Sequence, residues 1–131
     1  MGVSLPPSAR VAPPASRQEA VDRVESYVRA HPGAVVPISH LCRVAGVSER
    51  GLRNAFHAVR GMSPKQYLLT VRLHGVRRAL TDAGFRPTTV TDVATDHGFF
   101  ELGRFAASYR EAFGEAPSET LRAAARRARP D

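Results

Sequence analysis

The chain repeats itself once. Gly46, Leu52, Phe56, Gly61 and Pro64 follow the spacing G-x5-L-x3-F-x4-G-x2-P, and Gly98, Phe105, Tyr109, Gly114 and Pro117 follow G-x6-F-x3-Y-x4-G-x2-P. The copies are offset by 52 residues before the turn and 53 after it, so the second copy carries one extra turn residue. Five positions of like chemistry in the same order mean that one supersecondary unit is used twice, and any fold must house both.

Each copy has the physics of a helix-turn-helix. Leu41 and Val93 place an apolar side chain in the angle between two helices, and Cys42 and Ala94 stay small where the second helix crosses. Gly46 and Gly98 come one turn later, where the chain reverses and positive φ is cheap only for glycine. Leu52 with Phe56, and Phe105 with Tyr109, are one turn apart on the buried face of the second helix. A bundle with two similar hairpins would explain the apolar positions, but not the agreement of small residues and glycines.

The rest of the chain reads as helix. Residues 1–15 hold four of the ten prolines and no periodicity, as expected of a disordered head or linker. Ser16-Arg17-Gln18-Glu19 is a capping box, followed at helical spacing by Ala20, Val21, Val24, Tyr27 and Val28 until Pro32-Gly33. Pro37 opens a short helix to Ala45, and Ser48 caps a third to about Arg60. A second box, Ser63-Pro64-Lys65-Gln66, starts a longer helix with an apolar stripe of Tyr67, Leu68, Val71, Val76 and Leu80, ended by Gly84. Gly75 inside it marks a close packing point. Val90–Asp96, Glu101–Ala112 and Pro117–Arg127 complete an all-α chain.

Totals bound the function. At 131 residues there is room for one domain or two very small ones. A net charge of +7 and a pI near 10.9 favour a polyanionic partner. Lys65 is the only lysine, so the basic residues are almost all arginine, the better fork for phosphate and guanine edges. No apolar stretch nears the roughly 18–20 residues of a membrane span, and Met1–Pro6 lacks the charged and apolar blocks of a secretory signal. The single cysteine, Cys42, fits a reducing cytosol. A soluble cytoplasmic protein at the bacterial nucleoid, without membrane attachment, is expected.

The chain resembles the DNA-binding domain of the AraC family of bacterial regulators. The resemblance runs over roughly residues 17–125 and rests on Leu41-Cys42 through Gly46-Val47-Ser48, Phe56, Gly61-Met62-Ser63-Pro64 and Tyr67, then Arg72-Leu73, Val90-Thr91-Asp92-Val93-Ala94, Gly98-Phe99, Phe105, Tyr109, Phe113-Gly114 and Pro117-Ser118. It implies two homeodomain-like helix-turn-helix repeats joined by a long linker helix and entering successive major grooves. The boundaries expected are a head over 1–15, a first helix-turn-helix subdomain over 16–62, the linker helix over 63–83, and a second subdomain with a basic tail over 84–131. Pro64 to Asp82 would make about 28 Å of helix at 1.5 Å per residue, the scale of the roughly 34 Å between successive major-groove faces.

Removing the buried Leu52, Phe56 and Val59 leaves Arg50, Arg53, Asn54 and His57 as one stripe at i, i+3, i+4 and i+7. Arginine can fork to guanine N7 and O6, and asparagine can pair with adenine N6 and N7. By the resemblance Arg50, Arg53 and Asn54 read bases, with His57 at the DNA contact. The equivalent stripe of the second unit is Gly103, Ala106, Ala107 and Arg110, with Arg104 beside it. Arg104 and Ala107 are the base-reading candidates there, Gly103 and Arg110 the accompanying contacts. Alanines can touch only thymine methyl groups, so weaker discrimination is expected. Phe100 stands where the family often has a small polar cap. Arg43, Arg60, Arg72, Arg77, Arg78 and Arg86 are candidate phosphate clamps.

Rival classes fare worse. His31, His40, His57, His74 and His97 form no H-E-x-x-H or other metal spacing, and no G-x-S-x-G or phosphate-binding glycine loop appears. No enzyme activity, metal or cofactor is expected. Asp92 and Asp96 share a helical face that suits solvent or a partner. The alternative to a sequence-specific regulator is a sequence-neutral architectural DNA binder. The partners expected are double-stranded DNA, bound by a monomer unless another domain dimerises it, and RNA polymerase if the regulator activates, as most of the family do. The chain is either a stand-alone regulator or part of a longer one.

Overall fold

In a computed structural model the described residues are 11–129. They form seven helices and no strand: α1 (Arg17–Ala30), α2 (Ile38–Ala45), α3 (Glu49–Arg60), α4 (Pro64–Thr81), α5 (Val90–Asp96), α6 (Leu102–Phe113) and α7 (Pro117–Ala128). The contacts divide into two compact units, with the boundary between Tyr67 and Leu68 inside α4.

In the first unit α1 packs on both α2 and α3. Ala20, Val21 and Val24 recur at helical spacing on one face of α1 and bury against Leu41 and Ala45 of α2 and Leu52, Ala55 and Phe56 of α3. Full burial of each larger aliphatic or aromatic side chain is worth about 1.5–3 kcal/mol. Ser16 Oγ accepts the Glu19 N–H at 3.1 Å, but the Glu19 carboxylate reaches past Ser16 to the N–H of Ala15 at 2.6 Å. The reciprocal half of the box is therefore displaced by one residue, and that backbone bond, followed by the charge of Arg23, holds the Glu19 carboxyl below the usual range.

Two arginines tie the unit together. Arg60, at the end of α3, donates from Nε and Nη2 to both carboxylate oxygens of Glu25 on α1, at 2.8 Å each. Arg23 donates from Nη1 to the carbonyls of Ala12, at 2.6 Å, and Ala45, at 3.0 Å, and from Nη2 to Glu19 at 3.0 Å. Of the head expected to be disordered, residues 1–10 lie outside the described residues; residues 11–15 are irregular chain, with Ala12 held by this contact.

In the second unit Leu73, Val76 and Leu80 of α4 bury with Val93 and Ala94 of α5 and Phe105 and Tyr109 of α6. Leu73 is buried where the expected stripe had Val71, which is half-buried. Both halves of the Ser63 box are made, Gln66 N–H to Ser63 Oγ at 3.1 Å and Ser63 N–H to Gln66 Oε1 at 3.0 Å. Gly75 of α4 meets the His97 ring so closely that a Cβ there would lie 2.9 Å from His97 Cδ2. The close packing point is real.

Candidate nucleic-acid interface

The two helix-turn-helix turns are built alike up to one residue. In the first, α2 ends on Gly46 at φ 75°, whose N–H bonds the Cys42 carbonyl at 2.9 Å, and Val47 N–H bonds the same carbonyl at 3.1 Å. Any side chain at Gly46 would be doubly obstructed: φ is left-handed, and a Cβ would sit 3.1 Å from the Ala12 carbonyl. Ser48 then opens α3, its Oγ accepting the Gly51 N–H at 3.1 Å. In the second, Thr89 caps α5 and Gly98 turns the chain at φ 85°. Phe99 N–H bonds the Ala94 carbonyl at 2.9 Å, as Val47 does that of Cys42.

The extra residue falls after this point. Helices α3 and α6 each have 12 residues and begin and end at the same positions under the 53-residue offset. The position of Ser48 is therefore taken by Glu101, which makes no side-chain cap, and not by Phe100. Phe100 stands outside the helix, 73% exposed.

The expected stripes lie on open surface. Arg50, Arg53, Asn54 and His57 are all exposed, on the side of α3 away from Leu52, Ala55 and Phe56. Arg53 Nη1 is 3.5 Å from Glu49 Oε1, an exposed pair worth little in water and easily exchanged for another anion. Gly103, Arg104, Ala106, Ala107 and Arg110 are exposed on α6, away from Phe105 and Tyr109.

The candidate clamps divide. Arg43 is exposed, with Nη2 3.2 Å from His40 Nδ1; since arginine can only donate, Nδ1 accepts, and Nε2 carries the proton toward Tyr27 Oη at 2.9 Å. Arg72 is half-buried on α4. Arg77 lies over the Phe113 ring at 4.7 Å, and Arg86 donates to the Asp82 carbonyl at 3.2 Å. Arg60 is exposed and held within the fold: Nε and Nη2 donate to Glu25, and that bond followed by the charge of Glu25 raises its pKa further. Nothing local in the sequence pairs residues 35 apart, so only the crossing of α1 and α3 reveals this role.

Cys42 is half-buried, and burial, then Glu49, pushes its thiol up, the opposite of an activated nucleophile. Among the described residues no three His, Cys, Asp or Glu side chains are placed to hold a metal ion, and no helix is long and apolar enough to cross a membrane.

The geometry defines a class first: a tandem helix-turn-helix protein. Residues 41–123 match the family model described as "Helix-turn-helix domain". A solved probable AraC family transcriptional regulator from Rhodopseudomonas palustris shares 45% identity with a TM-score of 0.74, over 85% of this chain and 98% of that one. The chain belongs to the AraC family. The XylDLEGF operon transcriptional activator of Pseudomonas putida is 38% identical over 101 residues, 77% of this chain but 32% of the relative. The chain thus spans about a third of the length of that activator. The DNA-binding domain of AdpA, a global transcriptional factor solved in complex with a target DNA, shares the fold at a TM-score of 0.70 and 23% identity, over 83% of this chain and 95% of that one.

Proposed function

We propose that the chain is the DNA-reading part of a sequence-specific transcription activator, with residues 16–62 and 84–131 as reading subdomains and 63–83 as the linker helix between them. The observation that carries this is the exposed stripe of Arg50, Arg53, Asn54 and His57 on the second helix of a helix-turn-helix. In the major groove Arg50, Arg53 and Asn54 offer the forked donors and the amide that separate guanine and adenine from other bases, with His57 at the edge of the contact. Helix α6 enters the next groove, with Arg104 and Ala107 at base edges and Gly103 and Arg110 alongside. Arg43 and Arg72 neutralise phosphate, which fixes register and makes affinity fall with salt. Arg60 is assigned to the fold instead.

DNA is bound by one copy, in the cytoplasm at the nucleoid, and RNA polymerase is the partner through which activation proceeds; no catalysis is assigned. The names of relatives support activation, and the net charge of +7 supports the polyanion. The test is selection of sites from random duplexes, followed by affinities for the selected and a scrambled duplex at one salt concentration. A preference of about 1,000-fold or more is expected. Equal affinity would make the protein a sequence-neutral binder.

A further inference from the structure

On α3 the outward stripe is made of hydrogen-bonding groups; in the same register on α6 it is Gly103, Ala106, Ala107 and Arg110, of which only the last carries a side-chain donor. The end of α6 from which this stripe starts is apolar too. Leu102 is 39% exposed, and Phe100, at 73%, is more exposed than Val35, Leu69 or Phe85, the other large hydrophobic side chains on open surface among the described residues. A ring left in water at the mouth of a reading helix gains by meeting an apolar surface there.

Gly103 strengthens the point. A Cβ built on it would meet nothing within 4 Å, and its φ is not positive, so neither packing nor backbone requires glycine. Glycine nonetheless weakens a helix. What the missing side chain provides is closer approach of the helix backbone to whatever the face meets. A shallow hollow on this face is lined by Ala106, Ala107, Arg110 and Glu111. Of these Arg110 brings positive charge and Glu111 negative charge to its wall.

Where a helix in the major groove presents no hydrogen-bonding group, it can tell base pairs apart by one feature above all, the C5-methyl of thymine, which alanine and phenylalanine contact well. We propose that Phe100, Gly103, Ala106 and Ala107 form a thymine-methyl reader, so that the second box is recognised by apolar contact beside its arginines while the first is recognised by hydrogen bonds. Phe100 supplies the broad surface, the alanines the close contacts, and Gly103 the depth. This rests on the reading that α6 enters the major groove.

The experiment replaces thymines of a selected site by deoxyuridine one at a time, which removes the methyl and leaves every hydrogen-bonding edge and charge. In the second box, swaps at the contacted positions should each weaken binding about three- to fivefold, the loss for one buried methyl group; swaps outside the boxes should change nothing. Phe100→Ala and Ala107→Ser, both at exposed positions, should abolish the thymine-to-deoxyuridine ratio at one position each. That ratio is taken within a single protein preparation, so folding cannot mimic it. A two-box footprint with affinities that deoxyuridine leaves within about 1.5-fold overturns the methyl reader alone. So does a Phe100→Ala loss that is equal for thymine and deoxyuridine, which would give the ring to the DNA backbone or another protein. A footprint covering one box overturns the two-groove reading, and this inference with it.

Discussion

Tyr109 Oη lies 2.7 Å from Thr120 Oγ1, and the residues at the same repeat positions in the first unit, Phe56 and Tyr67, meet instead as tilted rings 5.2 Å apart. Both pairs are offset by 53 residues. Each joins the reading helix to the helix that follows it, once by a hydrogen bond and once by ring contact. The Thr120 hydroxyl itself donates to Glu115, so the Tyr109 hydroxyl is the donor in its pair. The two mini-cores should therefore respond differently to mutation. Phe56→Ala removes a fully buried ring and should cost about 3–5 kcal/mol. Tyr109→Phe keeps the ring and leaves Thr120 paired, and should cost about 1 kcal/mol. Urea melting checks both; a Phe56→Ala loss below about 1 kcal/mol would mean the repeat has been misread.

The same pair gives a pH dependence. Burial pushes the Tyr109 phenol above its ordinary value of 10.0. A group raised in the folded state supports folding below its unfolded pKa and loses that support as pH climbs through the folded one. Stability should hold up to about pH 10 and decline above it, and Tyr109→Phe should make the decline shallower. Identical slopes for the two proteins in melting curves between about pH 9.5 and 11.5, the range spanning tyrosine ionisation, would contradict this.

Gly75→Ala should destabilise although alanine favours helix. The added Cβ meets His97 Cδ2 at 2.9 Å, and the ring cannot simply swing away because its Nδ1 is 2.8 Å from the Val93 carbonyl. Overpacking of about 1–3 kcal/mol outweighs the roughly 1 kcal/mol gained in helix propensity. In a His97→Ala background the sign should reverse, and thermal melting of the four proteins of this cycle decides it.

Much of this architecture was legible in the sequence, for local reasons. The Ser48 and Ser63 caps and the turns at Gly46 and Gly98 follow from spacing within one turn or from the demands of φ. The exposed stripes were legible because helical periodicity says which face is left once Leu52 and Phe56 are buried. What escaped depends on how helices cross: Arg60 on Glu25, Arg23 on the Ala12 and Ala45 carbonyls, and Leu73 in place of Val71. The cap at Glu101 escaped because an inserted turn residue shifts the helix start without altering the apolar pattern.

Arg53 and Arg60 should separate reading from holding. Arg53→Ala should cost about 1–3 kcal/mol on the selected site and relax preference at one base pair; uniform weakening on all duplexes would make Arg53 a phosphate contact. Arg60→Gln should lower the urea midpoint through the loss of its bond to Glu25 and leave the salt dependence of binding unchanged. A slope of log K against log salt smaller by about 0.9 would return Arg60 to the phosphate.

The central claim is that one copy reads two boxes at once through α3 and α6, and the direct measurement is affinity for a selected two-box site before and after inserting 5 bp between the boxes. Half a turn of DNA carries the second box to the other side of the duplex. Helix α4, 18 residues and about 27 Å long, has a length fixed by its hydrogen bonds and cannot stretch to follow. Affinity should fall to that of a duplex carrying the first box alone, and a 10-bp insertion should not restore it, since about 34 Å of added rise is beyond reach. A change below about threefold, less than the loss of even 1 kcal/mol of contact, would mean that α3 reads alone and that the two-groove account is wrong.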